Sequence, residues 1–274
     1  MSKHFDSYCG YMLVKQKTMI LFDQIIFGPV KSRRLGLSLG VNLLPVDAKI
    51  CSFDCIYCEC GFNTTMKESP LPTRKQVYET LEIKLQEMVA ANEIPDVITF
   101  AGNGEPTLHP EFEGIIDDTI LLRNKYCPTA KVSVLSNSTK THKPKILAAL
   151  LKVDNNILKL DSAFDSTIQL LDRPVGKHVT VKWLIEQFKK FEGNLIIQTM
   201  FLRGNVKGVI IDNTTDEEIN AWISALQKIN PKQVMIYTID RETPTQNLEK
   251  ISLEELDRIA EKTRKFGFDV SVAG

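Results

Sequence analysis

The chain has 274 residues, of which 43% are hydrophobic and 25% charged, values typical of a soluble globular protein with one large domain or two small ones. Its 34 basic and 34 acidic residues balance, so net charge gives no general attraction to nucleic acid. No apolar run is long enough to span a membrane and the N-terminus lacks the apolar segment of a secretory signal, so we expect a cytoplasmic protein with reduced cysteines.

Apolar, β-branched segments alternate with segments of helical periodicity along the chain. Strands are predicted at 18–27, 38–44, 96–101, 130–135, 156–160, 195–202, 233–239 and 268–272, and helices at 73–92, 111–126, 143–151, 181–191, 214–228 and from 252. Capping patterns open three of these helices, at Thr73 with Gln76, Thr214 with Glu217, and Ser252 with Glu255. Residues 1–18 have no periodicity and are predicted to be an extension of one domain at 19–274, in which 31–36 is a basic loop.

About six repeats of strand, loop and helix follow one another. The strands are almost continuously apolar, which is typical of parallel strands covered by helices. Six repeats are fewer than the eight of a closed barrel, so we predict an α/β fold, a partial (β/α)6 TIM-like barrel with a mostly parallel sheet and outer helices. Sites in such folds lie at the C-terminal ends of the strands, and this rule places the polar residues Ser136, Asn137, Asp161, Gln198 and Asp240 on one rim.

A cysteine motif follows the strand predicted at 38–44. Cys51, Cys55 and Cys58 have the spacing C-x3-C-x2-C in a short, irregular segment. Three thiolates can hold three irons of a four-iron, four-sulfur (4Fe-4S) cluster and leave the fourth iron open to another ligand. A structural zinc site is the alternative, because zinc takes four ligands and Cys60 offers a fourth thiol.

A glycine-rich turn, Gly102-Asn103-Gly104-Glu105-Pro106, follows the strand predicted at 96–101. Glycine lets the backbone approach a ligand closely, and exposed carbonyls together with the Glu105 carboxylate can hold an ammonium group. On its own this pattern favours an ordinary tight turn between a strand and a helix. Beside the cysteine motif it favours a binding site.

The cysteine spacing, with Tyr57 just before the third cysteine, and the glycine-rich turn resemble two motifs of the radical S-adenosylmethionine superfamily. The segment 28–45, with the sequence GPVKSRRLGLSLGVNLLP, is similar to the leader of the wyosine-synthase-like subgroup. The resemblance extends from about Phe27 to the C-terminus. It implies a partial barrel and a radical SAM enzyme that uses a 4Fe-4S cluster to cleave S-adenosylmethionine reductively to a 5′-deoxyadenosyl radical.

The resemblance also implies roles for individual residues. The three motif cysteines would bind the cluster, and the glycine-rich turn would hold the amino group of the methionine moiety. An aromatic side chain beside the third cysteine would support the adenine, and polar residues at strand ends would bond the ribose hydroxyls or the methionine carboxylate. The metal ligands are thus Cys51, Cys55 and Cys58, and the cofactor-binding residues are Tyr57, Gly102, Asn103, Gly104, Glu105, Ser136, Asn137 and Asp161.

These motifs do not specify the substrate, and we expect an unidentified small molecule or nucleoside, with a one-electron donor such as flavodoxin or ferredoxin. True wyosine synthases modify tRNA and use a second cluster. Here Cys9, Cys60 and Cys127 lack motif spacing, and the balanced charge does not favour tRNA. A glycyl-radical-enzyme activating enzyme and a non-catalytic zinc-binding module are the alternatives. Arg33 and Arg34 suit a phosphate or carboxylate ligand, or an ion pair beneath the barrel.

Overall fold

The computed structural model describes residues 20–32, 35–64 and 68–274, and within them eleven strands and seven helices. The strands are β1 (Ile26–Ser32), β2 (Gly36–Val41), β3 (Val97–Phe100), β4 (Lys131–Ser136), β5 (Asn155–Lys159), β6 (Ile196–Met200), β7 (Leu202–Val206), β8 (Val209–Asp212), β9 (Gln233–Tyr237), β10 (Leu248–Lys250) and β11 (Val270–Ala273). The helices are α1 (Arg74–Ala90), α2 (Phe112–Tyr126), α3 (Pro144–Lys152), α4 (Asp165–Leu171), α5 (Val181–Lys189), α6 (Asp216–Ile229) and α7 (Leu253–Arg264).

Eight strands form one curled sheet in the order β1-β2-β3-β4-β5-β6-β9-β11. β1 pairs antiparallel with β2, and every later neighbour in this sheet is parallel. Helices follow β2, β3, β4, β5, β6 and β9 in turn, which makes six strand–helix units. The predicted α/β partial barrel with outer helices is therefore confirmed.

Four of the seven helices in the described residues, namely α1, α5, α6 and α7, begin at a side-chain cap. Thr73 and Gln76 form the predicted reciprocal capping box at α1, and the Ser252 side chain accepts the Glu255 N–H at α7. The cap predicted at Thr214 is wrong by one residue, since Thr215 accepts the Glu218 N–H instead. The Thr214 hydroxyl is already bonded to Asp212, 2.6 Å away, in the turn that follows β8.

Three other predictions of secondary structure need correction. Of the strand predicted at 18–27, the structure describes residues 20–27, and only Ile26 and Phe27 of these lie in β1, because the backbone of Phe22 pairs with the side chain of Asn103 rather than with a strand. The loop predicted at 31–36 is too long, since Lys31 and Ser32 belong to β1. The strand predicted at 195–202 ends at Met200, and the chain then enters a separate sheet of order β10-β7-β8 that the pattern did not predict, nor did it predict α4.

Several sequence-based interpretations fall outside the described residues. They are the extension at 1–18 with Cys9, and the roles considered for Arg33 and Arg34. Among the described residues, no helix combines the length and the apolar character needed to cross a lipid bilayer.

The concave face of the curled sheet changes character along the strands. Ile157, Ile196 and Met235 form a small apolar cluster with Leu35 and Leu135 packed against it. Alternation then places the next inward positions, Lys159 and Gln198, nearer the C-terminal ends of the strands. An apolar floor therefore lies beneath a polar rim, and the candidate site occupies that rim.

Candidate functional site

A cavity of about 450 Å³ opens at the C-terminal ends of the parallel strands. Its walls include the side chains of Lys159, Gln198, Met200 and Tyr237, which lie on three neighbouring strands, β5, β6 and β9. The structure brings most of the predicted site residues to this cavity, namely Cys51, Cys55, Tyr57, Cys58, Gly102, Gly104, Glu105, Ser136 and Asn137. Asn103 and Asp161 lie directly behind its wall and do not line it.

The glycine-rich turn is bound through its backbone to the residue that precedes the cysteine motif. Ile50 N donates to Asn103 O at 3.0 Å, and Glu105 N donates to Ile50 O at 3.1 Å. Gly104 has φ +132°, and a Cβ there would overlap the carbonyl oxygen of Ile50. Gly102 has φ +133°, and its Cβ would lie 2.6 Å from Asn42 Oδ1. Only glycine permits this approach, so the two motifs are held together.

Asn103 is fully buried and bonds to the chain that leads into the barrel. Its amide nitrogen donates to Phe22 O at 2.9 Å and to Pro45 O at 2.8 Å, and its Oδ1 accepts from Phe22 N at 2.8 Å. The structure therefore gives this side chain a role in fastening the turn. A direct cofactor contact by Asn103 stays a prediction from the resemblance.

Glu105 joins the glycine-rich turn to the end of β4. One carboxylate oxygen accepts from Ser136 Oγ at 2.8 Å and from the backbone and hydroxyl of Thr107 at 3.1 and 2.5 Å. The other accepts from Asn137 N at 2.7 Å. Burial raises the pKa of Glu105, although these donors oppose the rise. A carboxylate has roughly four acceptor positions, and four donors already occupy those of Glu105. An incoming ammonium group would therefore have to share the carboxylate oxygens with these donors.

Asn137 connects the same strand end to the cysteine loop. Its Nδ2 donates to Ser52 Oγ at 3.0 Å and to Cys51 Sγ at 3.4 Å. Its Oδ1 accepts from Thr139 N at 3.1 Å and from Thr139 Oγ1 at 2.9 Å. Asn137 is thus positioned by contacts to the loop that carries the predicted cluster ligands.

A buried group of ionisable side chains supports the loop from the opposite side. Tyr57 OH donates to Asp161, and also to Asp172 Oδ1 at 3.1 Å, while Lys159 Nζ donates to Tyr57 OH at 2.5 Å. Lys159 Nζ lies 3.4 Å from Asp161 Oδ2, and Cys55 Sγ donates to Asp172 Oδ1 at 3.4 Å. Asp172 Oδ2 is buried and has no hydrogen-bond partner in the described part of the chain.

The charges of this group explain its pKa values. Burial and the neighbouring Asp161 charge raise the pKa of Asp172 well above its usual range. Burial alone would lower the pKa of Lys159. The Asp161 carboxylate and other negative neighbours outweigh burial, so the pKa of Lys159 lies well above its usual value. Lys159 is therefore held in its charged form, and the raised pKa of Asp172 favours its protonated form. Sequence analysis missed Asp172, because nothing local to it signals contact with residues more than a hundred positions away.

The motif cysteines differ in environment. Burial raises the pKa of Cys51 to about 12, and burial together with the Asp172 charge raises the pKa of Cys55 well above its usual value. The pKa of Cys58 falls to about 6, because the Cys60 thiol donates a hydrogen bond to it and the Lys49 ammonium lies beside it. Lys49 is 2% exposed, and its Nζ donates to Gly61 O at 2.8 Å. Sequence analysis also missed this buried cation beneath the motif.

These residues fit a cluster held by three cysteines. Cys51, Cys55 and Cys58 are free thiols on one irregular loop beside a buried cation, which suits an anionic iron–sulfur group. The described residues contain no group of three His, Cys, Asp or Glu side chains that converge on a single ion. A 4Fe-4S cube binds each cysteine through a different iron, so its ligands need not converge in that way.

Comparison with known sequences identifies similar proteins. Residues 46–223 match the model of the Radical SAM superfamily. The chain is 32% identical over 222 residues to a UPF0026 protein of Helicobacter pylori, covering 79% of this chain and 67% of that protein. It is also 32% identical over 236 residues to the GTPase Obg of Brachyspira hyodysenteriae, covering 85% of this chain. The chain spans 32% of the length of that second protein.

Solved structures share the fold at low sequence identity. Streptococcus suis SuiB bound to S-adenosylmethionine superposes with a TM-score of 0.60 at 14% identity, over 85% of this chain and 51% of SuiB. TYW1 with a lysine-pyruvate adduct gives 0.59 at 14% identity, over 83% of this chain and 73% of TYW1. The likeness establishes the partial-barrel architecture around the cavity.

Proposed function

Since this chain belongs to the radical SAM superfamily, we propose that it is an enzyme that cleaves S-adenosylmethionine reductively with a 4Fe-4S cluster. One observation carries the proposal. The three thiols of the cysteine motif and the glycine-rich turn face the same cavity of about 450 Å³. The radical formed in this cavity would abstract hydrogen from a small molecule or nucleoside.

Cys51, Cys55 and Cys58 would hold the cluster, and S-adenosylmethionine would lie between the cysteine loop and the glycine-rich turn. When bound, the cluster supplies the single electron that splits the sulfonium into methionine and a 5′-deoxyadenosyl radical. The chain's own groups bind, orient and exclude water. Gly102 and Gly104 leave the turn free of side chains, and Glu105 holds it in place through Ser136 and Asn137.

The size and lining of the cavity support a small substrate. Its floor is apolar, and its walls carry the hydrogen-bonding side chains Lys159, Gln198 and Tyr237 inside the curled sheet. The Glu59 carboxylate pairs with Arg241 Nη1 at 2.8 Å where the cysteine loop meets the chain after β9, so the charges there are mixed. The equal numbers of basic and acidic residues in the chain, together with the ion pair beside the cysteine loop, do not favour tRNA as the substrate.

A structural zinc module is the second candidate, and one observation favours it. The Cys60 thiol lies beside Cys58 and lowers its pKa, so a fourth sulfur is close to the motif, although no three such side chains converge on a single ion in the described residues. Zinc in structural sites is commonly held by four such ligands. Metal analysis separates the candidates, because the first predicts iron with acid-labile sulfide and the second predicts one zinc.

The decisive experiment reconstitutes the protein anaerobically with iron and sulfide, then adds dithionite and S-adenosylmethionine. Mass spectrometry should detect 5′-deoxyadenosine in the wild type and in Cys127→Ala, whose cysteine lies outside the motif. Cys51→Ala, Cys55→Ala and Cys58→Ala should give none. Equal product from the motif variants, or zinc in place of iron, would contradict the proposal.

A further inference from the structure

Two segments beside the cysteine loop are basic and contain no acidic residue. The segment 138–152 carries Lys140, Lys143, Lys145 and Lys152, and the segment 173–185 carries Arg173, Lys177 and Lys182. The whole chain is electrically balanced, with 34 basic and 34 acidic residues. The two segments therefore carry a local excess of positive charge.

Contacts to Ser52, the residue after the first motif cysteine, bring the two segments together. Ser52 Oγ lies 2.5 Å from Thr139 Oγ1, and Val175 N donates to Ser52 O at 3.0 Å. The Trp183 ring of the second segment also lies 6.0 Å from the His142 ring of the first. The segments thus form one surface against the cysteine loop. We name Lys140, Lys143, Lys145, Arg173 and Lys177 the basic surface.

The charges of the basic surface are largely uncompensated. Lys143, Lys145 and Lys177 are exposed and Lys140 is half-buried. Within residues 20–32, 35–64 and 68–274, none of these four lysines forms an ion pair. Arg173 lies 3.8 Å from Asp54 and stacks over the Phe62 ring. Such charges attract an anionic partner over distances of about a Debye length, ~8 Å at physiological salt.

The basic surface adjoins the cysteine loop but not the cavity. None of its residues lines the cavity, and neither does Ser52. A substrate must enter the cavity, whose lining residues are not those of the basic surface. A protein that exchanges electrons needs only to come close to the loop, because electron transfer slows steeply with distance. The position of the surface therefore suits an electron carrier better than a substrate.

We propose that the basic surface is the docking site of a small, acidic, one-electron carrier protein. The inference rests on the proposed function, because a carrier has a centre to reduce only if the loop holds a cluster. Charge complementarity chiefly raises the association rate and specificity of such encounters. Weak redox encounters often bury less than about 1,200 Å², so docking of such a carrier does not require an extensive interface.

The test measures binding of a flavodoxin to a charge-reversal variant of the reconstituted protein. Lys143→Glu, Lys145→Glu and Lys177→Glu are combined, and a matched triple variant reverses Lys75, Lys228 and Lys265, which are exposed on other elements. We expect at least a tenfold rise in Kd for the first triple and less than a twofold change for the second. Wild-type binding should weaken as salt rises, and the first triple should lose most of that dependence.

Activity provides the second readout. Product formation driven by reduced flavodoxin should fall at least tenfold in the first triple, whereas product formation driven by dithionite should not change. An unchanged flavodoxin Kd would overturn the inference, and so would a wild type that binds neither flavodoxin nor ferredoxin. Loss of tRNA binding with flavodoxin binding retained would also overturn it, and would assign the surface to RNA. Failure of the proposed function appears separately, as no product from dithionite in the wild type.

Discussion

The cysteine loop is held from two sides that differ in their chemistry. On one side, the Glu105 carboxylate meets four donors from the glycine-rich turn and the end of β4. On the other, Tyr57 bonds to both Asp161 and Asp172, Lys159 bonds to Tyr57 and Asp161, and one oxygen of Asp172 has no partner in the described residues. The first side is fixed by backbone geometry and satisfied donors. The second depends on the balance of buried charges, so its properties should respond to pH.

The largest effect expected is loss of the cluster, and removing a motif cysteine on either side of the loop should cause it. Cys51 contacts Asn137 on the turn side and Cys55 contacts Asp172 on the charged side, and each would bind one iron. Cys51→Ala and Cys55→Ala should therefore both abolish iron and sulfide binding, with near-native circular dichroism. Iron and sulfide content after reconstitution measures this, and Cys127→Ala serves as the control. Wild-type iron content in either motif variant would exclude that residue as a ligand.

The next largest effect is expected from a substitution in the glycine-rich turn, which changes only the side of the loop that backbone geometry fixes. Gly104→Ala would place a Cβ against the carbonyl of Ile50 at a φ of +132°, which only glycine adopts readily. We expect a loss of more than about 3 kcal/mol of unfolding free energy in urea titrations. The matched control is Gly208→Ala, at φ +87° with no atom within 4 Å of the new Cβ, where the loss should be about 1–2 kcal/mol. Equal losses would show that the contact with Ile50 is unimportant.

A smaller effect is expected from Glu105→Ala, which should weaken binding of the cofactor without loss of the cluster. Glu105→Ala leaves the Ser136 hydroxyl and the Asn137 N–H buried without an acceptor, each at a cost of about 1–3 kcal/mol. The cluster should persist, and the Kd for S-adenosylmethionine should rise about tenfold. Calorimetric titration of the reconstituted protein measures that Kd. The control is Glu111→Ala, which removes an exposed carboxylate near the same turn. Unchanged affinity in Glu105→Ala would remove Glu105 from the cofactor site.

The smallest effect expected tests the charged side by its pH dependence. Folding raises the pKa of Asp172 above its usual 3.8, because burial and the Asp161 charge disfavour ionisation. Its contribution to stability is full below pH ~4 and is lost as the pH rises towards the folded pKa. Asp172→Asn stays neutral, so the metal-free variant should gain stability relative to the wild type between pH 4 and 8. Each unit of pKa shift corresponds to ~1.4 kcal/mol.

Urea titrations of the metal-free proteins across this pH range measure the difference. Asp216→Asn is the control, since a hydrogen bond from Lys262 lowers the pKa of that exposed carboxyl. Its wild-type contribution is present at high pH and lost as the pH falls, so the trend should be opposite and small. A flat difference for Asp172→Asn would show that Asp172 is ionised in the folded protein.

The contrast between the two sides also explains what could be predicted from the sequence. The turn side depends on contiguous motifs, so the spacing of the cysteines and the glycines predicted residues that meet at one cavity. The order of strands and the caps at Thr73 and Ser252 are likewise local features. The charged side joins Tyr57 to Asp172 across 115 positions, and no local pattern records such a pair. In the small sheet, only the pairing of β10 with β7 is distant in sequence, whereas β7 and β8 form a hairpin with the two-residue turn Lys207-Gly208, a local signal that the sequence analysis missed.

The measurement that tests the central claim most directly is the Mössbauer spectrum of protein reconstituted with iron-57, before and after S-adenosylmethionine is added. We predict about four irons per chain in a 4Fe-4S cluster, one of which changes its spectrum when the cofactor binds. A cluster held by Cys51, Cys55 and Cys58 leaves that iron available. A spectrum that S-adenosylmethionine does not alter, or a loop that takes up one zinc and no iron, would contradict the account.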